Sequence, residues 1–538
     1  MAGAIEATGA NVASLVLRHV SERPHEIALI DARRGEEATW EELITRSGRL
    51  CAALRGRGLG RGSRALLLLR PGVDSVACLL ALLAIGAVPV LVDPGLGLRR
   101  MLECIRDARP VAVLGERVVH LVALIWPSAF ASVTLRVTPG LWPGAVSLPR
   151  LLAEAPEADF APALTSLDDP AIIAFTSGST GTPKGVVMTN GVLRAQLTAI
   201  RDLAQLGPES VLVAFLPILA FLGPALGCRT LLPDMDTSRP HRLSPQRVAE
   251  SMRRHGATHA FGSLCIWTRL GRWCADRHLR FPELRHMLMG GAPIPPTLLA
   301  LWRGLVPEDA TLQAPYGATE VLPIATVTAT EVLEAPPGRG FLLGRPVEGL
   351  DLRLVCIDDG PMDAALDLPA GEAGEIVVRS ARVAPAYASR PEADVLCRIS
   401  DSGGSWYRTG DLARIDEGGR LWYLGRKAER VDTAHGRLFT ALVEPAFAAC
   451  AEVSEVALVG VGPPGEARPV LIVVPRRWPF GARARRRLAA RVLASAGALA
   501  DELGLRDVLF RRSLPVDVRH RAKILRLELA VWASQRLD

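Results

Sequence analysis

Residues 175–185 read Phe-Thr-Ser-Gly-Ser-Thr-Gly-Thr-Pro-Lys-Gly, a concentration of groups that suits an anion. Gly178 and Gly181 let the backbone curl so that several N–H groups can face one phosphate. The hydroxyls of Thr176, Ser177, Ser179, Thr180 and Thr182 add donors, and Lys184 adds a positive charge. The spacing differs from the P-loop pattern G-x-x-x-x-G-K-[ST], because the run closes as Gly-Thr-Pro-Lys-Gly. A flexible Ser/Gly linker is the competing reading, but a linker is not expected to follow a buried strand and end in Pro183-Lys184-Gly185.

Lysine usage singles out the same place. The chain has three lysines, Lys184, Lys427 and Lys523, and the other 60 of its 63 basic residues are arginine. Such a bias is what a GC-rich genome produces. The lysines that survive it then stand where a compact ammonium cannot be exchanged for a planar guanidinium.

The run at 175–185 resembles the signature loop of the adenylate-forming superfamily of acyl-CoA synthetases, peptide-synthetase adenylation domains and luciferases. Further motifs of that superfamily follow in order. Gly290-Gly291-Ala292-Pro293 resembles its adenine-side loop, and Tyr316-Gly317-Ala318-Thr319-Glu320 its Y-G-x-T-E motif. Tyr407-Arg408-Thr409-Gly410-Asp411 resembles the T-G-D motif, Gly425-Arg426 opens the hinge motif, and Arg521-Ala522-Lys523-Ile524 stands at the C-terminal G-K-I. The resemblance implies ATP and Mg²⁺ as cofactors and gives each residue a task. Tyr316 offers a ring face for adenine. Glu320 is a hard oxygen ligand for Mg²⁺ on the phosphates. Thr319 can donate to the α-phosphate, and Asp411 can accept both ribose hydroxyls. Arg426 can bind ribose or phosphate. Lys523 would reach the substrate carboxylate and the bridging oxygen as pyrophosphate leaves. Singly, Glu320 also reads as a surface carboxylate and Asp411 as a turn residue, but those readings leave the order of the motifs unexplained.

Helical and strand patterns alternate through the first two thirds of the chain, as layered α/β structure with largely parallel sheets requires. Ala65–Leu69, Val88–Val92, Val111–Leu114 and Ala171–Phe175 read as short buried strands, and Trp40–Arg55 and Val73–Leu83 as helices. Asp351–Ile357 and Glu375–Arg379 suggest a more β-rich region, and Arg408–Tyr423 two strands about the turn Glu417-Gly418-Gly419. The fold class expected is α/β: a large N-terminal domain of layered sheets with a β-rich subdomain, then a small mobile C-terminal α+β domain. The boundary is expected near Lys427, giving an adenylation domain at 1–426 and a lid carrying the lysine at 427–538.

Composition sets limits. A chain of 538 residues, 49% hydrophobic and 22% charged, is globular and exceeds one ordinary core. A net charge of +7 without a long Lys/Arg run argues against nucleic acid as a partner. The dense basic stretch Arg483–Arg487 reads as a solvated helix face. Nine cysteines without a C-x-x-C pair argue against a disulfide framework or zinc site and suit a reducing cytoplasm. The N-terminus lacks signal-peptide patterning. The apolar run Val76–Val92 contains Gly86 and Pro89, so a buried helix, a turn and a strand are expected there rather than a transmembrane anchor.

Other blocks narrow the resemblance. Ala220–Gly227, Leu232–Pro240, Gly86–Gly95, Pro315–Glu320, Gly425-Arg426-Lys427 and the tail Leu514–Ser534 are similar to bacterial olefin β-lactone synthetases. That resemblance implies a long-chain 2-alkyl-3-hydroxy acid as substrate, activated as its adenylate and closed by its own β-hydroxyl. It also implies a thiolase, an α/β-hydrolase-type enzyme and a reductase as partner enzymes, and work near a membrane surface. Thioester-forming relatives read G-R-x-D-[DE]-x-[IL]-K across the hinge, whereas here Ala428 replaces the acid and Asp432 the later lysine. Candidate pocket residues lie in Leu216–Gly223, with Phe221, in Phe261-Gly262-Ser263, and in Gly290–Pro293, where small and apolar side chains suit alkyl groups. His520 is a candidate base by type, and a locally hydrogen-bonded or exposed histidine is the plainer reading. Two alternatives stay open: a fatty or aryl acyl-CoA or acyl-carrier ligase, and a non-catalytic nucleotide- or lipid-binding relative. Retention of Lys184, Glu320, Asp411 and Lys523 argues against the second.

Overall fold

The helix Trp40–Arg55 begins at a reciprocal cap. The Glu42 N–H donates to Thr39 Oγ1 at 3.2 Å, and the Thr39 N–H donates to Glu42 Oε2 at 2.9 Å. The helix Val73–Ala84 is buried at every residue but Asp74. It ends at a turn where Gly86 takes φ 73°, and the buried strand Val88–Val92 follows. The apolar run at 76–92 is therefore helix, turn and strand. Among the described residues, no helix is long and apolar enough to cross a membrane. The computed structural model describes residues 9–176, 183–362, 367–369, 371–401, 404–516 and 523–537.

The chain divides into two units. The first comprises Met1–Ile324 and Ser380–Val395, and the second Ala325–Arg379 and Leu396–Asp538. In the first unit one sheet runs, in spatial order, through Ala386–Ala388, Lys184–Thr189, Pro170–Thr176, Val88–Val92, Arg64–Leu68, Ala112–Gly115, Leu135–Thr138 and Val146–Ser147. From Pro170–Thr176 onward the pairings are parallel, and the two at the other edge are antiparallel. Val88, Val90 and Val92 pack with Leu66, Val113, Ile173 and Phe175, so alternate residues of adjacent strands fill one layer. A second sheet of this unit orders Thr311–Ala318, His286–Gly290, His259–Ser263, Val211–Ala214, Arg229–Leu232 and Ile27–Asp31 in parallel, with Glu36–Thr39 antiparallel at its edge. The mixed α/β class and layered sheets match the expectation from sequence.

In the second unit, Asp351–Val355, Gly374–Arg379, Gly404–Ile415, Leu421–Arg426 and Phe341–Pro346 form an antiparallel array. Further along, Val453–Val461 and Arg468–Pro475 pair antiparallel, with Asp507–Phe510 parallel beside them. This small sheet is buried on both faces. Val456, Leu458, Leu471 and Val473 face Val443, Phe447, Leu488 and Val492, while Val459, Val470 and Ile472 face Leu529 and Ala533. The arginines 483, 485, 486 and 487 lie exposed on the helix Gly481–Ser495, the solvated face that the sequence predicts.

His259 and His286 pair in register on adjacent strands, with their rings stacked 4.6 Å apart. Burial lowers the pKa of His259 to about 4, and the neighbouring His286 adds to the fall; burial lowers that of His286 too. Both imidazoles are thus neutral in the fold at pH values where the unfolded chain already protonates them. Their contribution is intact above pH ~6.5 and is lost as pH falls towards 4, by about 3 kcal/mol for His259. Urea unfolding across that range should show a shallower loss of stability in His259→Gln than in the parent. Parallel curves would mean that His259 titrates normally.

Candidate active site

Lys184 opens the strand Lys184–Thr189, directly opposite Thr176 at the end of Pro170–Thr176. The chain thus leaves one strand and re-enters the next at paired positions. Ser177, Gly178, Ser179, Thr180 and Gly181 lie outside the described residues, as does the Thr176 side chain. On the outer side of Lys184–Thr189 pairs a strand from far along the chain, with Ala388 opposite Gly185, Tyr387 opposite Val186 and Ala386 opposite Val187. Asp394 fixes this strand by accepting the Tyr387 N–H on both carboxylate oxygens at 3.1 Å. Arg390 closes the excursion with an ion pair to Asp107 at 2.7 Å.

Tyr387 is a residue the motif reading missed. Its hydroxyl donates to Glu320 Oε1 at 2.7 Å, and its ring lies 5.0 Å below Lys184 Nζ. The backbone preceding it holds the same motif. The Ala384 N–H donates to the Glu320 carbonyl at 2.7 Å, and Gln196 Nε2 bridges the Arg382 carbonyl at 3.0 Å to that of Thr319 at 3.5 Å. Glu320 is 9% exposed, so it is a held carboxylate rather than a surface one. Thr319 is half-buried.

The parallel strands of the second sheet bring another group of candidates together. Ser263 and Gly290 are in register at the ends of His259–Ser263 and His286–Gly290. A side chain at Gly290 would begin 3.0 Å from the Phe261 ring and 4.0 Å from the Pro315 carbonyl. Gly262 is closed in by Phe215 and Trp267, each just over 3 Å from where a Cβ would sit. Ser263 Oγ is buried and finds no hydrogen-bond partner among the described residues. Gly291 turns the chain with φ 92° and is exposed, and Ala292 is half-buried. Tyr316 is half-buried near the end of Thr311–Ala318. Beside it Gly317 lies so close to the Val321 carbonyl that a Cβ would come within 2.7 Å. Phe221 belongs to the helix Pro217–Leu222, and its side chain lies outside the described residues.

In the second unit Asp411 and Arg426 are register partners on adjacent strands and form an ion pair at 3.0 Å. Asp411 is 5% exposed, and its N–H donates to Thr409 Oγ1 at 3.1 Å. Beneath this pair Arg408 and Lys427, both from the quoted motifs, meet a carboxylate that no motif includes. Glu375, wholly buried, accepts from Arg408 Nη2 at 2.7 Å, Lys427 Nζ at 2.9 Å and the Gly410 N–H at 3.2 Å. Its signal in the sequence is a lone acid at the start of the apolar strand Gly374-Glu375-Ile376-Val377-Val378. Arg408, itself 2% exposed, also donates to the carbonyls of Asp358, Gly360 and Leu396.

Lys523 is exposed and adjoins an antiparallel bridge between Val516 and Ile524. His520 lies outside the described residues. Just beyond Lys523, Arg526 is gripped by Glu429 at 2.7 Å and Glu444 at 2.8 Å. Burial works to lower the pKa of Arg526, but the two carboxylates outweigh it. Burial raises that of Glu429 despite the guanidinium beside it. Arg526 thereby ties the lysine's end of the chain to residues just past Arg426.

Among the described residues no cluster of three or more His, Cys, Asp or Glu side chains could cage a metal. A single buried carboxylate with one oxygen already directed by a neutral donor fits Mg²⁺ that arrives on phosphate oxygens and keeps most of its other ligands from nucleotide and water. Glu320 is the residue that would hold it.

Comparison with known proteins agrees with these features. The profile described as AMP-binding enzyme matches residues 16–388, ending with the strand that carries Tyr387. The olefin β-lactone synthetases of Stenotrophomonas maltophilia and Xanthomonas campestris are each 37% identical to the chain. The alignments cover 98% of this chain and, respectively, 99% and 98% of the relative. Among solved structures, the amide bond synthetase of Marinactinospora thermotolerans superposes with a TM-score of 0.78 at 25% identity, over 97% of this chain and 99% of the other.

Removing Glu375 leaves a buried guanidinium and an ammonium without their carboxylate. Glu375→Ala should therefore cost about 3–5 kcal/mol of unfolding free energy in denaturant titrations. A loss below ~1 kcal/mol would mean that the carbonyl partners of Arg408 suffice.

Proposed function

The chain belongs to the AMP-binding enzyme family and is an ATP-dependent, AMP-forming ligase; from that premise we propose that it converts a long-chain 2-alkyl-3-hydroxy acid to a β-lactone. The observation that carries this reading is the 37% identity to two olefin β-lactone synthetases over almost the whole of each chain. In the first step a carboxylate oxygen of the acid attacks the α-phosphorus of ATP, and the bond to the β-phosphate oxygen breaks to release pyrophosphate. In the second the substrate's β-hydroxyl attacks the acyl carbon, loses its proton and expels AMP as the four-membered ring closes. Holding hydroxyl and acyl carbon in one substrate makes this step a matter of orientation.

In this proposal Lys184, with the hydroxyls and backbone of 176–181, binds phosphate. Gly291, Ala292, Tyr316 and Gly317 form the adenine side, Thr319 donates to the α-phosphate, and Asp411 with Arg426 binds the ribose. Glu320 would hold Mg²⁺, which would supply charge neutralisation for the pyrophosphate. Lys523 stabilises charge at the substrate carboxylate and the bridging oxygen. Phe221, Phe261, Gly262, Ser263 and Gly290 line the alkyl pocket. A thiolase, a reductase and an α/β-hydrolase-type enzyme are the partner activities this reading implies, with the enzyme working at a membrane surface.

We further propose that residues 427–538 act as a lid on the adenylation domain 1–426. In support, the sheet at 453–510 buries both faces with side chains from within 431–537. At the hinge, the position where thioester-forming relatives carry lysine is Asp432, which pairs with Arg430 at 2.9 Å and Arg437 at 2.6 Å. Asp432 is thus engaged by arginines of its own segment, where those relatives offer a lysine.

The test is product analysis after incubation with ATP, Mg²⁺ and a 2-alkyl-3-hydroxy acid, with and without CoA. A β-lactone and AMP formed without CoA is the expected result. A thioester formed only with CoA would replace the second step with acyl transfer to a thiol. Lys523→Ala should lower adenylation at least ~100-fold while ATP affinity stays within about threefold. Pyrophosphate–ATP exchange and calorimetry separate the two, and unchanged exchange would remove Lys523 from its role.

A further inference from the structure

One tyrosine touches the two groups of opposite charge on which nucleotide binding in the first unit is proposed to rest. We infer that Tyr387 is a positioning residue that sets the Glu320 carboxylate for a divalent cation and the Lys184 ammonium for phosphate; this rests on the roles given to those residues above.

The argument begins with what kind of partner each charge has. Glu320 Oε1 accepts the Tyr387 hydroxyl at 2.7 Å, a short bond from a neutral donor to an anion. An arginine or lysine in that place would orient the carboxylate equally well, but would also neutralise it and compete with an incoming cation. A phenol hydroxyl orients without cancelling charge, and it uses one of about four lone-pair sites of the carboxylate. The same reasoning holds on the ring. Lys184 Nζ stands 5.0 Å from the ring centroid, where the negative face of the aromatic quadrupole attracts an ammonium without offering a counter-anion. One neutral side chain therefore holds a negative and a positive group without itself supplying a charge to either.

The tyrosine is itself firmly placed. It is buried, its N–H is held by both oxygens of Asp394, and its strand is paired residue by residue with the one that Lys184 opens. Ala384 holds the Glu320 backbone from the same segment. Glu320 is thus fixed at both main chain and side chain by residues 384–387, and Lys184 by the pairing and the ring of that segment. The functional consequence is coupling: cation affinity and phosphate affinity share one support.

Two variants separate the contacts. Tyr387→Phe keeps the ring and loses only the hydroxyl. With ATP present, Mn²⁺ affinity read from the electron paramagnetic resonance of free Mn²⁺ should weaken about tenfold. ATP affinity without metal should stay within about twofold, which also reports an intact fold, and adenylation should return at raised Mg²⁺. Tyr387→Leu loses the ring as well, and should lower metal-free ATP affinity about threefold or more, with no recovery at high Mg²⁺. Parent-like Mn²⁺ affinity in Tyr387→Phe would overturn the inference. Glu320→Gln is the companion measurement. If it weakens Mn²⁺ binding while Tyr387→Phe does not, the inference alone fails. If it leaves Mn²⁺ binding unchanged, the assignment of the cation to Glu320 fails, and the inference with it.

Discussion

The first unit depends on a pairing only three residues long, Ala386–Ala388 against the strand that Lys184 begins. The pairing is short, but its contacts reach further than its length. Through it the segment 380–395 is drawn out of the second unit's stretch of sequence and built into the first. It carries the hydroxyl on Glu320, the ring under Lys184 and the backbone donor on the Glu320 carbonyl. Its far end is tied down by Arg390 on Asp107 and by Ser389, whose hydroxyl donates to the Asp107 carbonyl at 3.1 Å. Motifs that are separate in sequence, at 184 and at 320, are made neighbours by a third segment that belongs to neither.

This is also where reading the sequence reaches its limit. Local rules served well for elements whose determinants are local. The helix Trp40–Arg55 has its cap at Thr39 and Glu42, and Val88–Val92 is bounded by Gly86 and Asp93; both were expected with those limits. Strands were displaced by a residue where the partner sets the limit: Arg64 is a strand residue because it pairs with Val88, whatever its polarity. Nothing local marks Ala386-Tyr387-Ala388 as an edge strand, since its pairing partner lies about two hundred positions earlier. The candidate residues themselves were legible as an ordered set of motifs. What supports them was not, because Glu375 is only one polar residue in an apolar stretch and Gln196 only one of several polar residues on its helix.

The second unit sets the two kinds of cation side by side on one carboxylate. Arg408 spends its fork on one carboxylate and several carbonyls in a fully buried setting, which a guanidinium can do because it is weakly hydrated and offers donors in several directions. Lys427 places a single ammonium between Glu375 and the Asp358 carbonyl, at 2.9 and 2.8 Å. The two cations converge on Glu375 beside Gly410, so the backbone that presents Asp411 is anchored from below. Arg526 does the same for the segment that carries Lys523, held between carboxylates from the residues following Arg426 and from the helix Thr440–Ala448.

The late return of residues 386–388 has a consequence for how the protein is made. A ribosome delivers residues in order, so the strand Lys184–Thr189 emerges long before its outer partner does. From residue 189 to residue 386 its hydrogen-bonding edge has no native neighbour, an interval on the order of 10–40 s at ordinary elongation rates. An open strand edge is a template for pairing with the wrong chain, and charge at the edge is a common defence. The three residues that await their partner, Gly185, Val186 and Val187, are uncharged, and the one charge on that strand, Lys184, lies beside them.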